Sequence, residues 1–229
     1  MIESMKLKII ISDAVQFFLG HLTQIAGLCL PWLLAAALVE YGIISVGQES
    51  EAAAPLFLVA WTFNLLIYPI YTGALIMLMA KCAQREQPAN RELTAAAIKI
   101  WHPLFMIHII GSGLSALGFM LLIVPGVYIL VRLSFAEFHL VLEGLKPIEA
   151  IQKSFKTTRP YFGLILLLLA MFMIPLVLLT FVLGGMLQEL NLNPVFNVIL
   201  STLIAFLTLF VDVVVFRVYM SAMQEAPSP

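Results

Sequence analysis

Charged side chains interrupt otherwise apolar stretches of this sequence at Arg132, Glu137 and Glu143, and again at Asp212 and Arg217. An ionised group at the centre of a membrane helix costs about 2.5–3.5 kcal/mol on insertion scales, so such groups pair or line a polar path. Counting ~1.5 Å per residue from the helix ends puts Asp212 between Arg132 and Glu137 in depth, with Arg217 nearer Glu143. Pairing of Arg132 with Asp212, and of Arg217 with Glu137 or Glu143, is then geometrically reasonable. Two roles stay open for this buried charge cluster. It is a path for an ion, a proton or a headgroup, or it is a set of ion pairs that fixes which helix packs on which. Too few further acids align with it to make a proton relay.

Other chemistry finds little support. His21, His102, His108 and His139 share no metal-ligand spacing with one another or with Cys29 and Cys82. Neither Cys-x-x-Cys nor His-Glu-x-x-His occurs, so no metal or cofactor is expected. Cys29 and Cys82 fall at opposite depths, which argues against a disulfide. No Gly-x-Ser-x-Gly elbow is present and no serine has a histidine and an acid at a matching depth. The loops are too short to fold a catalytic domain. No catalytic residue is assigned and no enzyme is expected. Gly111, Gly113, Ser115, Ala116 and Gly118 crowd one stretch, for close helix packing or for a ligand path. Gly184-Gly185 is of the same kind.

These residues sit in a chain with 62% hydrophobic and 11% charged residues and a mean hydropathy of +1.04. Soluble domains carry about 25% charged residues, so lipid is the solvent that suits this composition. The expected fold is all-α, a single transmembrane domain over 1–229 with about six spans at 22–46, 55–80, 103–124, 125–143, 161–187 and 195–220. Pro125-Gly126 reads as the tight break between the third and fourth spans. Short amphipathic interfacial helices are expected at 8–21, 93–101 and 147–158. The early polar residues Asp13, Gln16 and His21 argue against a cleaved signal peptide.

Basic residues set the orientation. Lys6 and Lys8 precede the first span, Lys81, Arg85, Arg91 and Lys99 follow the second, and Lys146, Lys153, Lys156 and Arg159 follow the fourth. The loops after the first, third and fifth spans carry only Glu49, Glu51 and Glu189. Both termini are therefore expected in the cytoplasm. The segment Lys146, Lys153, Lys156 and Arg159 also suits anionic lipid headgroups, at ~1 kcal/mol per charge. Trp101, Tyr161 and Tyr219 fit an interfacial belt. Net charge is −1, which offers nothing to a nucleic acid. Ala14-Val15-Gln16-Phe17-Phe18, Ala97-Ile98-Lys99-Ile100-Trp101 and Ala150-Ile151-Gln152-Lys153-Ser154 each precede a span. They suggest three copies of an interfacial helix followed by a transmembrane hairpin.

Val124-Pro125-Gly126-Val127-Tyr128 opens a familiar stretch. It runs through Arg132-Leu133-Ser134, Leu142-Glu143-Gly144 and Pro147-Ile148-Glu149-Ala150 to Lys153-Ser154-Phe155-Lys156-Thr157-Thr158, and Phe216-Arg217-Val218-Tyr219-Met220 closes the last span. These motifs resemble the YciC-like bacterial inner-membrane proteins and the membrane domain attached to some glycerophosphodiester phosphodiesterases. The close match covers about a quarter of the chain; Glu137 departs from it, where relatives tend to a proline or a small residue. The resemblance implies a polytopic protein of the bacterial cytoplasmic membrane without a catalytic headpiece. It supplies no substrate. One functional expectation is a non-enzymatic protein that organises envelope components through lipid or membrane-protein contacts. The other is a small-solute or lipid transporter, for which mid-span Pro31, Pro69 and Pro175 are further support.

Overall fold

The computed structural model of the chain describes residues 2–47, 53–190 and 194–225. Glu49, Glu51 and residues 191–193 lie outside the described residues. In lipid each backbone N–H and C=O must be satisfied within its own segment, so the long apolar runs become helices. Among the described residues there are no strands. Six apolar helical stretches are long enough to cross a membrane: Leu22–Ile43, Leu58–Ala83, Trp101–Leu121, Ile123–Glu143, Phe162–Gly184 and Val195–Glu225. The chain is a multi-pass membrane protein.

The chain order repeats a pattern of one short helix and two long passes. Helix α1 (Ile2–Gly20) leads into α2 (Leu22–Gly47) and α3 (Ala53–Ala83). Helix α4 (Asn90–Lys99) leads into α5 (Trp101–Leu121) and a fourth pass made of two pieces, α6 (Ile123–Leu133) and α7 (Ala136–Glu143). Helix α8 (Pro147–Thr157) leads into α9 (Phe162–Leu190) and α10 (Pro194–Glu225). Within each set the two passes pack as a hairpin. Ala14, Ala97 and Ala150 are each fully buried, so the short helices seat closely where a larger side chain would hold them off. On α1, Ile10, Ala14, Phe17 and Phe18 form one buried stripe at helical spacing. Phe18 meets Phe206 and Phe210 of α10, so α1 lies against the last pass rather than only along the bilayer surface. The side chain of Gln24 donates to Pro88 O at 2.7 Å, and Asn90 Nδ2 donates back to Gln24 O at 3.1 Å. These bonds tie α4 to α2.

Two features differ from the sequence expectation. The turn between the third and fourth passes falls at Leu122, whose backbone is extended. Pro125 sits in the first turn of α6, where a missing N–H breaks no helical bond. Gly126 lets backbones touch: a Cβ on Gly118 would lie 2.8 Å from Gly126 Cα. By contrast Gly184 faces open space, so it makes no close packing. Pro31, Pro69 and Pro175 all lie inside continuous helices. The pass that breaks is the fourth, at Ser134-Phe135, with no proline near.

Helix α8 holds that break. The Ser154 hydroxyl donates to Arg132 O at 2.7 Å and accepts from Phe135 N at 3.2 Å. Ser154 is fully buried, so it supplies partners that neither water nor lipid can offer there. Gly144, with φ of 66°, ends α7 in the left-handed conformation glycine tolerates. Pro147 then starts α8, and Glu149 accepts from Lys146 N at 3.4 Å. Replacing Ser154 with alanine leaves a buried carbonyl and a buried amide without partners, at ~1–3 kcal/mol each. Ser154→Ala is expected to lower the thermal unfolding midpoint in lipid nanodiscs by several degrees, and Ser154→Thr by less. An unchanged midpoint for Ser154→Ala would show that the hydroxyl does not hold the break.

Candidate functional site

The charges singled out in the sequence do not form one cluster. No ion pair or hydrogen bond joins Arg132 to Asp212, or Arg217 to Glu137 or Glu143. Helix geometry explains this. The expected pairing rested on depth alone. Five residues at 3.6 per turn set Arg132 and Glu137 about 140° apart around the fourth pass, so Arg132 faces α8 while Glu137 faces α5 and α10.

Glu143 belongs to a structural clamp. His139 is fully buried, and its Nδ1 lies 2.8 Å from Glu143 Oε1. Its Nε2 meets the Thr157 hydroxyl at 2.9 Å. The Tyr219 hydroxyl donates to Glu143 Oε1 at 3.2 Å, and Lys153 Nζ is bonded to Glu143 Oε2. The clamp joins α7, α8 and α10. It corrects two expectations. Lys153 is held by Glu143 rather than facing lipid, and Tyr219 is buried among Phe135, Phe138 and Phe216 rather than sitting in an interfacial belt. Trp101 also bonds within the protein, donating from Nε1 to Leu66 O at 2.9 Å. The Tyr161 hydroxyl donates to Glu225 Oε2 at 2.7 Å. Lys146, Lys156 and Arg159 are exposed. Arg217 lies over the Phe17 ring at 5.2 Å, with its Nε buried and unbonded.

Glu137 and Asp212 both line a cavity of about 400 Å³ between α3, α5, the α6–α7 break, α9 and α10. Glu137 occupies the first turn of α7, where free backbone N–H groups favour a negative charge. His108 Nδ1 is 3.6 Å from Glu137 Oε1, too long for a strong hydrogen bond. The His108 ring stacks on Tyr68 at 3.9 Å. Asp212 makes no hydrogen bond or ion pair among the described residues. Neither lysine nor arginine lines the space.

The hydroxyls around the acids add to their character. Thr72 Oγ1 donates to Tyr68 O at 2.7 Å, Ser112 Oγ to His108 O at 2.6 Å and Ser134 Oγ to Val131 O at 2.8 Å. Each hydroxyl uses its proton on its own helix, which leaves oxygen lone pairs for the cavity. The Tyr68 and Ser115 hydroxyls and the His108 ring also line the space, so donors stand beside these acceptors and the two carboxylates set its character. Leu75, Ile76, Ile107, Val211 and Val215 supply apolar wall. Ser112 is exposed and Leu130 is 40% exposed, so the cavity opens sideways on the flank of the bundle. Such a space suits a cation that carries an apolar body, and its volume lies within the usual range for small-molecule sites, ~300–1,000 Å³.

Tyr68 and Thr72 were not singled out in the sequence, and His108 was weighed as an interfacial or packing residue against a metal ligand. One signal was present: His108, Ser112 and Ser115 share helical spacing with Gly111. Of the small residues of α5, Gly118 packs closely on Gly126, while Gly111, Ser112 and Ser115 line the cavity. Among the described residues no group of three or more His, Cys, Asp or Glu could hold a metal ion. No protein-family model, curated protein or solved structure matches the chain.

The two kinds of acid should respond oppositely to neutralisation. Glu143→Gln removes the Lys153 pair and weakens the His139 bond, and is expected to lower the unfolding midpoint in nanodiscs. Asp212→Asn removes an unpaired carboxylate from a low-dielectric interior, and is expected to keep or raise it. A marked loss of stability in Asp212→Asn would mean that Asp212 has a structural partner.

Proposed function

We propose that the chain is a non-enzymatic membrane protein that binds a small organic cation in the acidic cavity and moves it across the bilayer. The observation that carries this reading is the presence of two carboxylates, Glu137 and Asp212, in a space lined by neither lysine nor arginine. A discontinuous pass beside the cavity supports it, since broken helices flank the substrate sites of many transporters. Entry is from the bilayer flank past Ser112, which suits a solute that partitions into lipid. The basic short-helix end faces the cytoplasm by the positive-inside rule. With the YciC-like resemblance, this supports a bacterial cytoplasmic membrane as the location.

A second reading is a non-transporting protein that organises envelope components, by contacts with lipid or with a membrane-protein partner. The exposed Lys146, Lys156 and Arg159 beside docked α8 favour it.

Uptake of ethidium, an apolar organic cation, by proteoliposomes of the purified chain separates the two. The transport reading expects uptake faster than in protein-free liposomes. Glu137→Gln with Asp212→Asn is expected to cut it about tenfold, the scale of one lost charge-assisted contact. If wild-type and empty liposomes take up the dye alike, and the dye does not bind the protein in detergent, the transport reading falls and the organising one stands.

A further inference from the structure

A second pocket, of about 580 Å³, opens between α5, α6 and α8, and shares no lining residue with the acidic cavity. Its walls are Leu114, Arg132, Ile151, Gln152, Phe155, Lys156 and Arg159. Arg132 is only 8% exposed. Its Nη1 donates to Thr158 Oγ1 at 3.2 Å, and that hydroxyl donates onward to Ser154 O at 2.6 Å. Tyr128 and Phe155 lie at 5.7 and 5.3 Å from the guanidinium carbon. These contacts hold the group in place without neutralising it. Its Nε is buried with no hydrogen-bond partner, and no carboxylate lines the pocket.

A buried cation without a counter-charge is costly, and here the missing partner is an anion. We infer that this pocket binds the phosphate ester of an anionic membrane lipid, with Arg132 as its buried anchor. A guanidinium presents paired N–H groups that match phosphate oxygens. Lys156 and Arg159 are exposed at the mouth and add charge, and the Gln152 amide adds a donor. Leu114, Ile151 and Phe155 offer apolar surface to the glycerol and first chain carbons. Tyr128 is 47% exposed and Leu114 36% exposed, so the pocket adjoins lipid-facing surface, which favours a lipid over a free ion. Of the basic residues noted on α8 and its flanks, Lys156 and Arg159 are the ones on the site, while Lys153 is engaged by Glu143.

Binding to the full-length protein in detergent tests this, with dihexanoyl phosphatidylglycerol, dihexanoyl phosphatidylcholine and inorganic phosphate as probes. The phosphatidylglycerol is expected to saturate one site and to outcompete both others. Arg132→Gln is expected to weaken it about tenfold, the scale of one charge-assisted hydrogen bond. The surface variant Lys156→Gln with Arg159→Gln is expected to weaken it severalfold, and keeps the test usable if Arg132→Gln misfolds. Equal binding of the two lipids, or no effect of the surface variant, would overturn the inference. Inorganic phosphate binding as tightly as the anionic lipid would overturn the lipid source.

Discussion

The Ser154 hydroxyl holds α8 against the fourth pass where that pass is interrupted, at Ser134-Phe135. A helix buried in a bilayer does not break freely, because the exposed carbonyl and amide have no water to turn to. Here the Ser154 hydroxyl from α8 serves both, bonding Arg132 O and Phe135 N. One buried hydroxyl thus fixes α8 against the fourth pass. Arg132 and Glu137, five residues apart, come to face different spaces.

The interior is divided by sign as a consequence. Glu137 and Asp212 share a cavity whose hydroxyls offer acceptors, and Arg132 stands in another whose mouth is basic. Apart from both stands the His139–Glu143–Lys153–Tyr219 clamp, in which opposite charges and hydrogen bonds are matched. Glu143 and Lys153, which meet partners, lie where helices are joined. Asp212 and Arg132, which meet no opposite charge among the described residues, line pockets. That contrast is the physical basis for reading the pockets as binding sites and the clamp as structure.

The helices were legible in the sequence because lipid leaves few alternatives. Long apolar runs with polar punctuation become α2, α3, α5, α9 and α10 within a few residues of their expected ends, and Pro147 marks the start of α8. The buried alanines of the three short helices were visible as a recurring sequence feature. The break was not legible, since Ser134-Phe135 contains neither proline nor glycine and its stabilising hydroxyl lies on another helix. Pro31, Pro69 and Pro175 suggested breaks that do not form, because each helix continues through them. Depth arithmetic placed Asp212 between Arg132 and Glu137 but carried no information on which face of the helix each occupies. Lys153 looked like a lipid-facing cation because its partner, Glu143, is ten residues away and is brought near by the turn at Gly144. The cavity hydroxyls escaped notice because serine and threonine in a membrane helix usually bond their own backbone, which these also do.

The separation of Arg132 from Asp212 is the claim on which the rest turns, and a double-mutant cycle of the two measures it directly. Unfolding free energies of Arg132→Gln, Asp212→Asn and the double variant in nanodiscs should be additive to within about 0.5 kcal/mol, as for residues with no shared partner. A coupling energy of about 1–3 kcal/mol, the range of residues in one network, would mean that the two charges pair, and the division of the interior by sign would be wrong.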